Sequence, residues 1–454
     1  MAGQKSLSLG IITNFKSNLK EYPWDFMGFL ILALLIPRIY SLINTIWIGH
    51  IDYSSLAIAE QYEFMGILIE IVNEGVPFGV LALVSQNYKN RNVVLKQLFT
   101  GIILQLILST TLSIIILSNI SLFVQIIGTS AEIVEKTIRY LSLRAIALPF
   151  NSLALLLIIG IKSLDRAKLS LEIVSVNVLL NIILDLFLIS NFPFSLQLGL
   201  DGAATGYLIS NITYCLTALG AIIVILHIKR QELKTQDFLD NSKSLFKVGG
   251  WTGIDSFVRN FFYFFVLQIL NFMGPNQFAG FQLFQKIMWT VLIPVIAISE
   301  GTAIRVGNYL INEDTKKRIP SLLATSAFLG FIIVGGFGLV GIFTIDSIGY
   351  IFTSNPDVIR FSSLMFFWQI IPYILFAVAM NLRGLFFGTG KTYNILIISL
   401  ILNLGVIFPF FLLINSGILP QNFESIMLMF VFVDLIDIVI TYILIRLLLN
   451  RLYS

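Results

Sequence analysis

The chain has 454 residues, of which 57% are hydrophobic and only 12% are charged. Soluble domains are about 25% charged, so this composition excludes a soluble globular protein and indicates an integral membrane protein. The single cysteine, Cys215, and the two histidines exclude a disulfide framework and a zinc-type site. The net charge of +4 does not indicate nucleic-acid binding, because Lys and Arg of membrane proteins collect in cytoplasmic loops.

The first 23 residues are polar and mildly amphipathic, without the apolar core and cleavage site of a secretory signal. We expect residues 1–23 to form a cytoplasmic amphipathic segment at the membrane surface.

Twelve apolar segments follow, each long enough to cross a membrane, which takes about 20 residues. Pro37, Pro149, Pro294 and Pro372 lie inside four of them and are expected to bend or interrupt these helices. The predicted spans are 24–49, 55–85, 95–118, 137–161, 168–190, 202–228, 245–272, 277–307, 321–345, 358–387, 392–415 and 424–449.

A basic, polar segment divides the chain in the middle. It predicts an N-lobe of six spans at 24–228, a cytoplasmic linker at 229–244 and a C-lobe of six spans at 245–454. Lys and Arg are concentrated in the loops on one side, which predicts a multi-pass plasma (inner) membrane protein with both termini in the cytoplasm.

The two halves contain related segments, "LPFNSLALLLIIGIKSLDRAK" (148–168) and "IPYILFAVAMNLRGLFFGTGK" (371–391). Their Pro, Gly and final Lys stand at matching offsets. We therefore predict an all-α integral membrane fold of twelve transmembrane helices, in two six-helix bundles related by pseudo-two-fold symmetry. Such repeats are typical of transporters, with the substrate site between repeats near the membrane midplane.

Asp185 lies within the apolar stretch "NVLLNIILDLFLIS" (177–190), with Asn181 one helical turn before it. A charged side chain at the centre of a membrane helix costs about 2.5–3.5 kcal/mol on insertion scales, so such residues usually face a cavity and have a function. The carboxyl and the amide share one helix face, where they could hold a proton or coordinate Na⁺. A structural hydrogen bond to a neighbouring helix is the alternative.

The second span carries four glutamates on one helix face, Glu60, Glu63, Glu70 and Glu74. The first two are expected at a solvated rim. Glu70 and Glu74 are deeper and could line a cationic pathway, or pair with arginines such as Arg38 or Arg144.

Charged residues also interrupt the apolar segments of the second half. Asp255 and Arg259 are one turn apart in the seventh span, where a local ion pair is the simpler interpretation, and Lys286 lies in the eighth. Asp434 and Asp437 lie one turn apart in the twelfth span. With charged residues in the spans of both halves, we expect the interior of each half to be polar.

No phosphate-binding loop, nucleophile elbow or zinc motif is found in the sequence. We therefore predict that the protein is not an enzyme and has no cofactor. Its energy source is expected to be an ion gradient or the gradient of the substrate itself.

Five short segments are similar to motifs of one transporter family. They are "IPRIYSLINTIWIGHI" (36–51), "RAIALP" (144–149), "NIILD" (181–185), "GLDGAATGYLIS" (199–210) and "NLRGLFFGTGKT" (381–392). The chain resembles the multidrug and toxic compound extrusion (MATE) transporters, especially their DinF-like branch, from about residue 24 to 449. The resemblance implies export of amphiphilic, often cationic compounds in exchange for H⁺ or Na⁺ by alternating access.

The family's N-lobe ion site combines a first-span Asp with an Asn and an Asp of the fifth span. By the resemblance, the last two correspond to Asn181 and Asp185, whereas Asn44 stands in place of the first. A Na⁺ site that lacks this carboxylate would be weak, while Asp185 alone suffices for H⁺. Glu70 or Glu74 could supply the missing carboxylate.

The C-lobe differs from the family pattern too. Some family members carry a seventh-span acid there, and Arg259 lies at or near that position, so coupling of that type is not expected.

We thus expect an H⁺-coupled antiporter that acts as a monomer among membrane lipids on a small-molecule or lipid-like substrate, with no nucleic acid involved. A lipid-linked oligosaccharide or polar-lipid flippase of the same superfamily is the alternative, because Arg38, Arg144, Arg259 and Lys286 would suit an anionic headgroup. A non-transporting receptor or scaffold is a third possibility, against which the repeats and Asp185 argue.

Overall fold

The structure, a computed structural model, describes residues 19–49, 55, 58–59, 61–127, 129, 132–190, 192–228 and 238–453. Most of the predicted amphipathic segment and the linker residues 229–237 lie outside these ranges, as do the side chains of Glu60 and Glu63. Over the described ranges the regular secondary structure is entirely helical.

Six long helices make up the first half of the described chain. A short helix, Ile120–Ile127, follows the third of them. The six are α1 (Trp24–Gly49), α2 (Tyr62–Asn87), α3 (Arg91–Ser118), α4 (Val134–Ser163), α5 (Ala167–Leu188) and α6 (Gly199–Leu226). Local sequence sets several of their ends. Asn90 begins α3 as a cap whose side chain accepts a hydrogen bond from the Val93 amide, and His227 ends α6 in the left-handed conformation.

The second half repeats this order with two interrupted helices. It contains α7 (Phe238–Met273), α8 in two segments (Pro275–Val291 and Ile293–Tyr309), α9 (Ile319–Phe352), α10 (Pro356–Leu382), α11 (Tyr393–Asn415) and α12 (Phe423–Tyr453). The chain bends by 47° between the segments of α8, where Pro294 follows the break. A π-helical turn, Asn403–Ile407, interrupts α11. The helices α1, α4 and α10 continue past their internal prolines.

These helices are long and apolar enough for a membrane protein. In the described ranges, ten helices meet the requirements of length and composition for crossing a membrane, and the bent pair of α8 makes eleven. The helix α7 is not among them, and its first half carries Asp240, Lys243 and Lys247. The chain is a multi-pass integral membrane protein.

The helices pack into two compact units. One unit is Gly28–Ile254, and the other comprises Asp255–Ser454 with the described residues up to Met27. The divisions fall inside α1 and α7, so each of these helices contributes to both units. The lobe limits taken from the linker, 24–228 and 245–454, remain a prediction.

In the unit Gly28–Ile254, α4 is the most buried of the described spans and divides the core into two hydrophobic clusters. On α4, one cluster includes Leu141 and Leu148, and the other includes Leu153 and buried residues that follow it on the same helix. Asn151 lies between them on α4 and donates a hydrogen bond to Asn211 of α6 at 2.7 Å. On α2 and α3, the side chains of Asn73 and Gln105 lie 3.4 Å apart. A polar layer therefore separates the two apolar clusters of this unit.

The start of α7 crosses α2 at glycines within the same unit. A Cβ atom on Gly249 would lie 2.2 Å from the Gly75 carbonyl oxygen, and one on Gly79 would lie 2.9 Å from the Leu245 carbonyl oxygen. Thr252 also donates a hydrogen bond to the Glu74 carbonyl oxygen at 2.7 Å. Only glycine allows backbones to approach this closely.

The core of the other unit is rich in phenylalanine. Phe281, Phe284 and Phe366 are fully buried, and the Phe284 ring packs against the Tyr373 ring of α10 in an edge-on arrangement. Aromatic side chains bury a large area each, and edge-on pairs add to that stabilisation.

Candidate functional site

The Asp185 carboxyl lies in the last turn of α5 and is only 2% exposed. Tyr40 of α1 donates a hydrogen bond from its hydroxyl to Asp185 Oδ2 at 2.6 Å. Asn44, one turn further along α1, donates from Nδ2 to the Tyr40 hydroxyl oxygen at 2.9 Å. Three side chains from two helices thus form one continuous hydrogen-bonded chain that ends on the carboxyl.

Glycine on a third helix leaves space beside this carboxyl. A Cβ atom on Gly206 of α6 would lie 3.8 Å from Asp185 Oδ1, and it would touch Leu184 and Leu188 of α5 at 3.5 Å. No hydrogen bond to Oδ1 occurs among the described residues. One carboxyl oxygen is therefore held by Tyr40, and the other is available to a further group.

The amide of Asn181 does not join this chain of hydrogen bonds. Its Nδ2 donates to the Asn177 carbonyl oxygen of its own helix at 2.9 Å, although the side chain is 7% exposed and lies one turn from Asp185. The Asn44 Oδ1 atom is buried and has no hydrogen-bond partner in the described part of the chain. Among the described residues, no group of three His, Cys, Asp or Glu side chains converges as a metal site would require.

Arg144 of α4 lies inside a cage of tyrosines. The guanidinium carbon is 3.9 Å from the ring centre of Tyr62 and 3.6 Å from that of Tyr207, and 5.8 Å from that of Tyr140. Its Nε is buried without a hydrogen-bond partner, and no described carboxylate forms an ion pair with it. The charge is stabilised by the faces of aromatic rings instead.

The other charged candidates of this unit lie further along their helices. Glu70 and Glu74 are 8 and 12 residues beyond Tyr62 on α2, which places them about 12 and 18 Å along the helix from the tyrosine cage. Arg38 is half-buried, and its Nε is buried without a hydrogen-bond partner among the described residues. Arg144 is brought near Asp185 through α6, where Tyr207 contacts Arg144 and Gly206 lies beside Asp185. A contribution of Glu70 or Glu74 to the site of Asp185 stays a prediction.

In the other unit, the predicted pair on α7 is present. Arg259 Nε lies 3.0 Å from Asp255 Oδ2, and Asp255 is 4% exposed. This arrangement is the local ion pair expected from the i, i+4 spacing. Lys286 is half-buried on the first segment of α8.

The structure also supplies a partner for the acidic pair of α12. Arg383, the residue after the end of α10, forms an ion pair with Asp437, and Thr441 donates a hydrogen bond to the same carboxyl oxygen at 3.1 Å. Asp434, one turn earlier, is 8% exposed. The sequence did not reveal this pair, because Arg383 and Asp437 are far apart in the chain.

Sequence reasoning also missed Tyr40, Tyr62 and Tyr207. One signal was present, since Tyr40 precedes Asn44 by four residues and shares its helix face. The tyrosines around Arg144 come from three different helices, and no spacing in the sequence connects them.

Comparison with known proteins identifies the family. The model of the family described as MatE matches residues 30–187 and 252–412, which is more than half of the chain. Among curated relatives, the multidrug export protein MepA of Staphylococcus aureus is 23% identical over 411 residues, covering 85% of both chains. The probable multidrug resistance protein NorM of Thermotoga maritima is 26% identical over 231 residues, where the match spans about half of each protein, 49% of this chain and 48% of that one.

Solved structures show the same fold. The MATE transporter VcmN of Vibrio cholerae, solved as a point mutant, superposes with a TM-score of 0.85 at 17% identity, covering 97% of this chain and 99% of that one. A transporter of the MOP superfamily from Pyrococcus furiosus, whose binding pocket is described as reversed in polarity, gives a TM-score of 0.83 at 17% identity, with 94% and 95% covered. The chain, with its twelve-helix two-bundle fold, belongs to the MATE family of membrane transporters, which are not enzymes.

Proposed function

We propose that this protein is an H⁺-coupled antiporter that exports amphiphilic organic compounds by alternating access. Asp185 is the group that takes up and releases the coupling proton. The observation that carries the proposal is a carboxyl that is 2% exposed, accepts one hydrogen bond from Tyr40, and has no ion-pair partner among the described residues. A buried carboxyl of this kind changes its charge with the state of its surroundings, so the two states of the transporter can differ in their affinity for a proton.

The donor set around Asp185 supports H⁺ rather than Na⁺ as the coupling ion. Na⁺ needs several oxygen ligands, whereas no group of three His, Cys, Asp or Glu side chains converges at Asp185 among the described residues. The hydrogen bonds of Asn181 and Asn44 are donated by their Nδ2 atoms. One carboxylate with one hydrogen-bond donor is sufficient for a proton. The Asn44 Oδ1 atom is the oxygen that would have to be recruited for Na⁺.

In this cycle, protonation of Asp185 from the outside changes the packing between α1 and α5, and release of the proton to the inside resets it. The halves of the chain around the linker 229–244 exchange outward- and inward-facing arrangements. The protein works as a monomer in the plasma membrane, with both termini in the cytoplasm. Within the family it belongs to the DinF-like branch.

A polar-lipid or lipid-linked oligosaccharide flippase is the second candidate function. Arg144 favours it, since a buried guanidinium without a carboxylate partner in the described chain suits an anionic headgroup. A flippase that follows the gradient of its lipid would require no change of charge at Asp185, which separates the two candidates.

The test is transport in proteoliposomes with pH and Na⁺ gradients imposed separately. We expect that the pH gradient drives export of a fluorescent amphiphile, and that Asp185→Asn reduces this driven transport at least about 100-fold because the proton-accepting oxygen is lost. Asp201→Asn is the matched control, since Asp201 belongs to the same unit and forms an ion pair with Arg139 at 3.0 Å at the surface.

Two outcomes would contradict the proposal. If Asp185→Asn retains transport driven by the pH gradient, Asp185 is not the coupling group. If the Na⁺ gradient alone drives the wild type, the coupling ion is wrong.

A further inference from the structure

The Arg144 side chain is a cation whose counter-charge is missing from the described residues. The ring centres of Tyr62 and Tyr207 lie 3.9 and 3.6 Å from its guanidinium carbon, with the ring planes 66° apart, and Nε is buried without a partner among the described residues. A buried charge is costly unless it is paired and hydrogen-bonded. Ring faces offset part of this cost, but they accept none of the N–H hydrogen bonds.

The tyrosine rings also determine where a counter-charge can bind. A guanidinium is planar, and its five N–H donors point outwards within that plane. The two rings occupy part of the space around the guanidinium, so a ligand would bind Arg144 through the N–H donors that the rings leave uncovered. Carboxylate, phosphate and sulfonate groups bind the edge of a guanidinium with two parallel hydrogen bonds.

An opposite charge lies in the same unit and is held apart from Arg144. Asp185 lies beside Gly206 of α6, whose Cβ would be 3.8 Å from Oδ1, and the next residue, Tyr207, contacts the Arg144 guanidinium. No ion pair between Asp185 and Arg144 occurs among the described residues, and Tyr40 donates to Asp185 Oδ2. Its second oxygen, Oδ1, faces the space that Gly206 leaves open. Two groups of opposite charge, neither in an ion pair among the described residues, therefore lie against neighbouring residues of α6.

We propose that the substrates are zwitterionic amphiphiles, with an anionic group on the edge of Arg144 and a cationic group at Asp185. This inference rests on the proposed function and names the substrate class of that site. A cationic group competes directly with the proton for Asp185, as exchange requires. A purely anionic ligand would instead favour protonation of Asp185 and bind together with the proton.

A matched pair of dyes tests the anionic contact. Tetramethylrhodamine carries a carboxylate and a delocalised cation, and its methyl ester carries only the cation. We expect purified wild type in a neutral maltoside detergent to bind the free acid at least about 10-fold more tightly than the ester, measured by fluorescence polarisation, because a hydrogen-bonded charge pair is added.

The variants separate binding from folding. Arg144→Gln should bind both dyes with the affinity of the ester, whereas Arg144→Lys should keep part of the preference because it keeps the charge on the rings. Tyr62→Phe retains the aromatic face and should retain the preference. Size-exclusion elution and thermal unfolding of each variant show whether the fold is intact.

A second pair of ligands distinguishes a lipid from a free solute. Lysophosphatidylcholine and glycerophosphocholine share the zwitterionic headgroup, and only the first has an acyl chain. We expect lysophosphatidylcholine, kept below its critical micelle concentration, to displace the bound dye and glycerophosphocholine to leave it bound. Equal displacement by both would overturn the requirement for an amphiphile.

The binding result is independent of the transport result. Equal affinity of the wild type for acid and ester, no binding of either dye, or an unchanged preference in Arg144→Gln would overturn the zwitterion proposal. A normal preference without transport driven by the pH gradient would instead contradict the proposed coupling and leave the substrate class standing.

Discussion

At the Tyr40 hydroxyl, a path of hydrogen bonds connects side chains of α1 and α5. Asn44 donates to Tyr40, and Tyr40 donates to Asp185. An amide at position 44 can end this path without adding a charge. A carboxylate there would stand on the other side of the same hydroxyl and repel Asp185 unless a cation or a proton were shared.

Asn44→Asp therefore tests what the amide at position 44 does, at the position where the resemblance to the family implies an acid. We expect the variant to bind Na⁺, because a second carboxylate supplies the missing oxygen ligand. Binding to the folded state raises the unfolding temperature, here by about 2–4 °C in NaCl relative to choline chloride. Wild-type protein should show no such rise, and the same absence in Asn44→Asp would mean that the site cannot coordinate Na⁺.

The residue-scale details also mark the limit of what the sequence predicts. The sequence predicts Asp185 as the ion-coupling residue, because a carboxyl within an apolar membrane helix is costly and usually has a function. The role of Asn181 as a ligand beside it stays a prediction. Its Nδ2 donates to the Asn177 carbonyl oxygen of the same helix, a local hydrogen bond that is open to any asparagine in a helix. The contact with Tyr40 depends on packing between α1 and α5, which spacing along the chain does not reveal.

At the scale of the helix, the crossing of α2 and α7 depends on the absence of side chains. A Cβ atom on Gly249 would lie 2.2 Å from the Gly75 carbonyl oxygen, whereas one on the neighbouring Gly250 would meet nothing within 4 Å. The two adjacent glycines therefore have opposite tolerance for substitution, although both occupy the same helix.

Gly249→Ala should lower the free energy of unfolding by about 1–3 kcal/mol, since backbone atoms must move apart to admit the methyl group. Gly250→Ala is the control, and it should leave stability unchanged or raise it slightly through the better helix propensity of alanine. Denaturant unfolding followed by tryptophan fluorescence compares the two. Equal loss of stability in both variants would show that the close crossing is not what constrains Gly249.

Helices were the most predictable level of this structure, and their interruptions the least. Long apolar segments give strong helix signals, and Pro294 correctly indicated the break in α8. Pro149 and Pro372 have the same sequence signal, yet α4 and α10 continue past them, because neighbouring helices can satisfy the backbone groups that proline leaves without a partner. The π-helical turn at Asn403–Ile407 has no proline at all within it.

For the whole molecule, the two compact units do not coincide with the two halves of the sequence. The start of α7 up to Ile254 packs with α2 in the unit Gly28–Ile254. The start of α1 belongs to the other unit, where Tyr22 hydrogen-bonds Ser326 at 3.2 Å and the Arg305 guanidinium lies 4.1 Å from the Phe26 ring. The basic linker indicates the midpoint of the chain. Which unit the first residues of α1 and α7 join depends on contacts between residues that are far apart in the sequence, and the linker does not reveal these contacts.

The orientation of the whole molecule is set by charge, and it gives a prediction that does not depend on the coupling mechanism. Basic loops remain in the cytoplasm, so Lys317, in the basic loop after α8, should lie inside, and Leu196, in the weakly charged loop between α5 and α6, should lie outside. Both positions are well exposed. The Lys317 side chain is 74% exposed, and Leu196 as a whole residue is 67% exposed.

Cysteine labelling in intact cells can read this orientation, because Cys215 is buried at 5% exposure and contributes little background. A membrane-impermeant maleimide should label Leu196→Cys in intact cells, and Lys317→Cys only after the membrane is permeabilised. Wild-type protein should remain unlabelled in both conditions. The reverse pattern would place both termini outside, and proton uptake at Asp185 would then have to be assigned to the opposite side of the membrane.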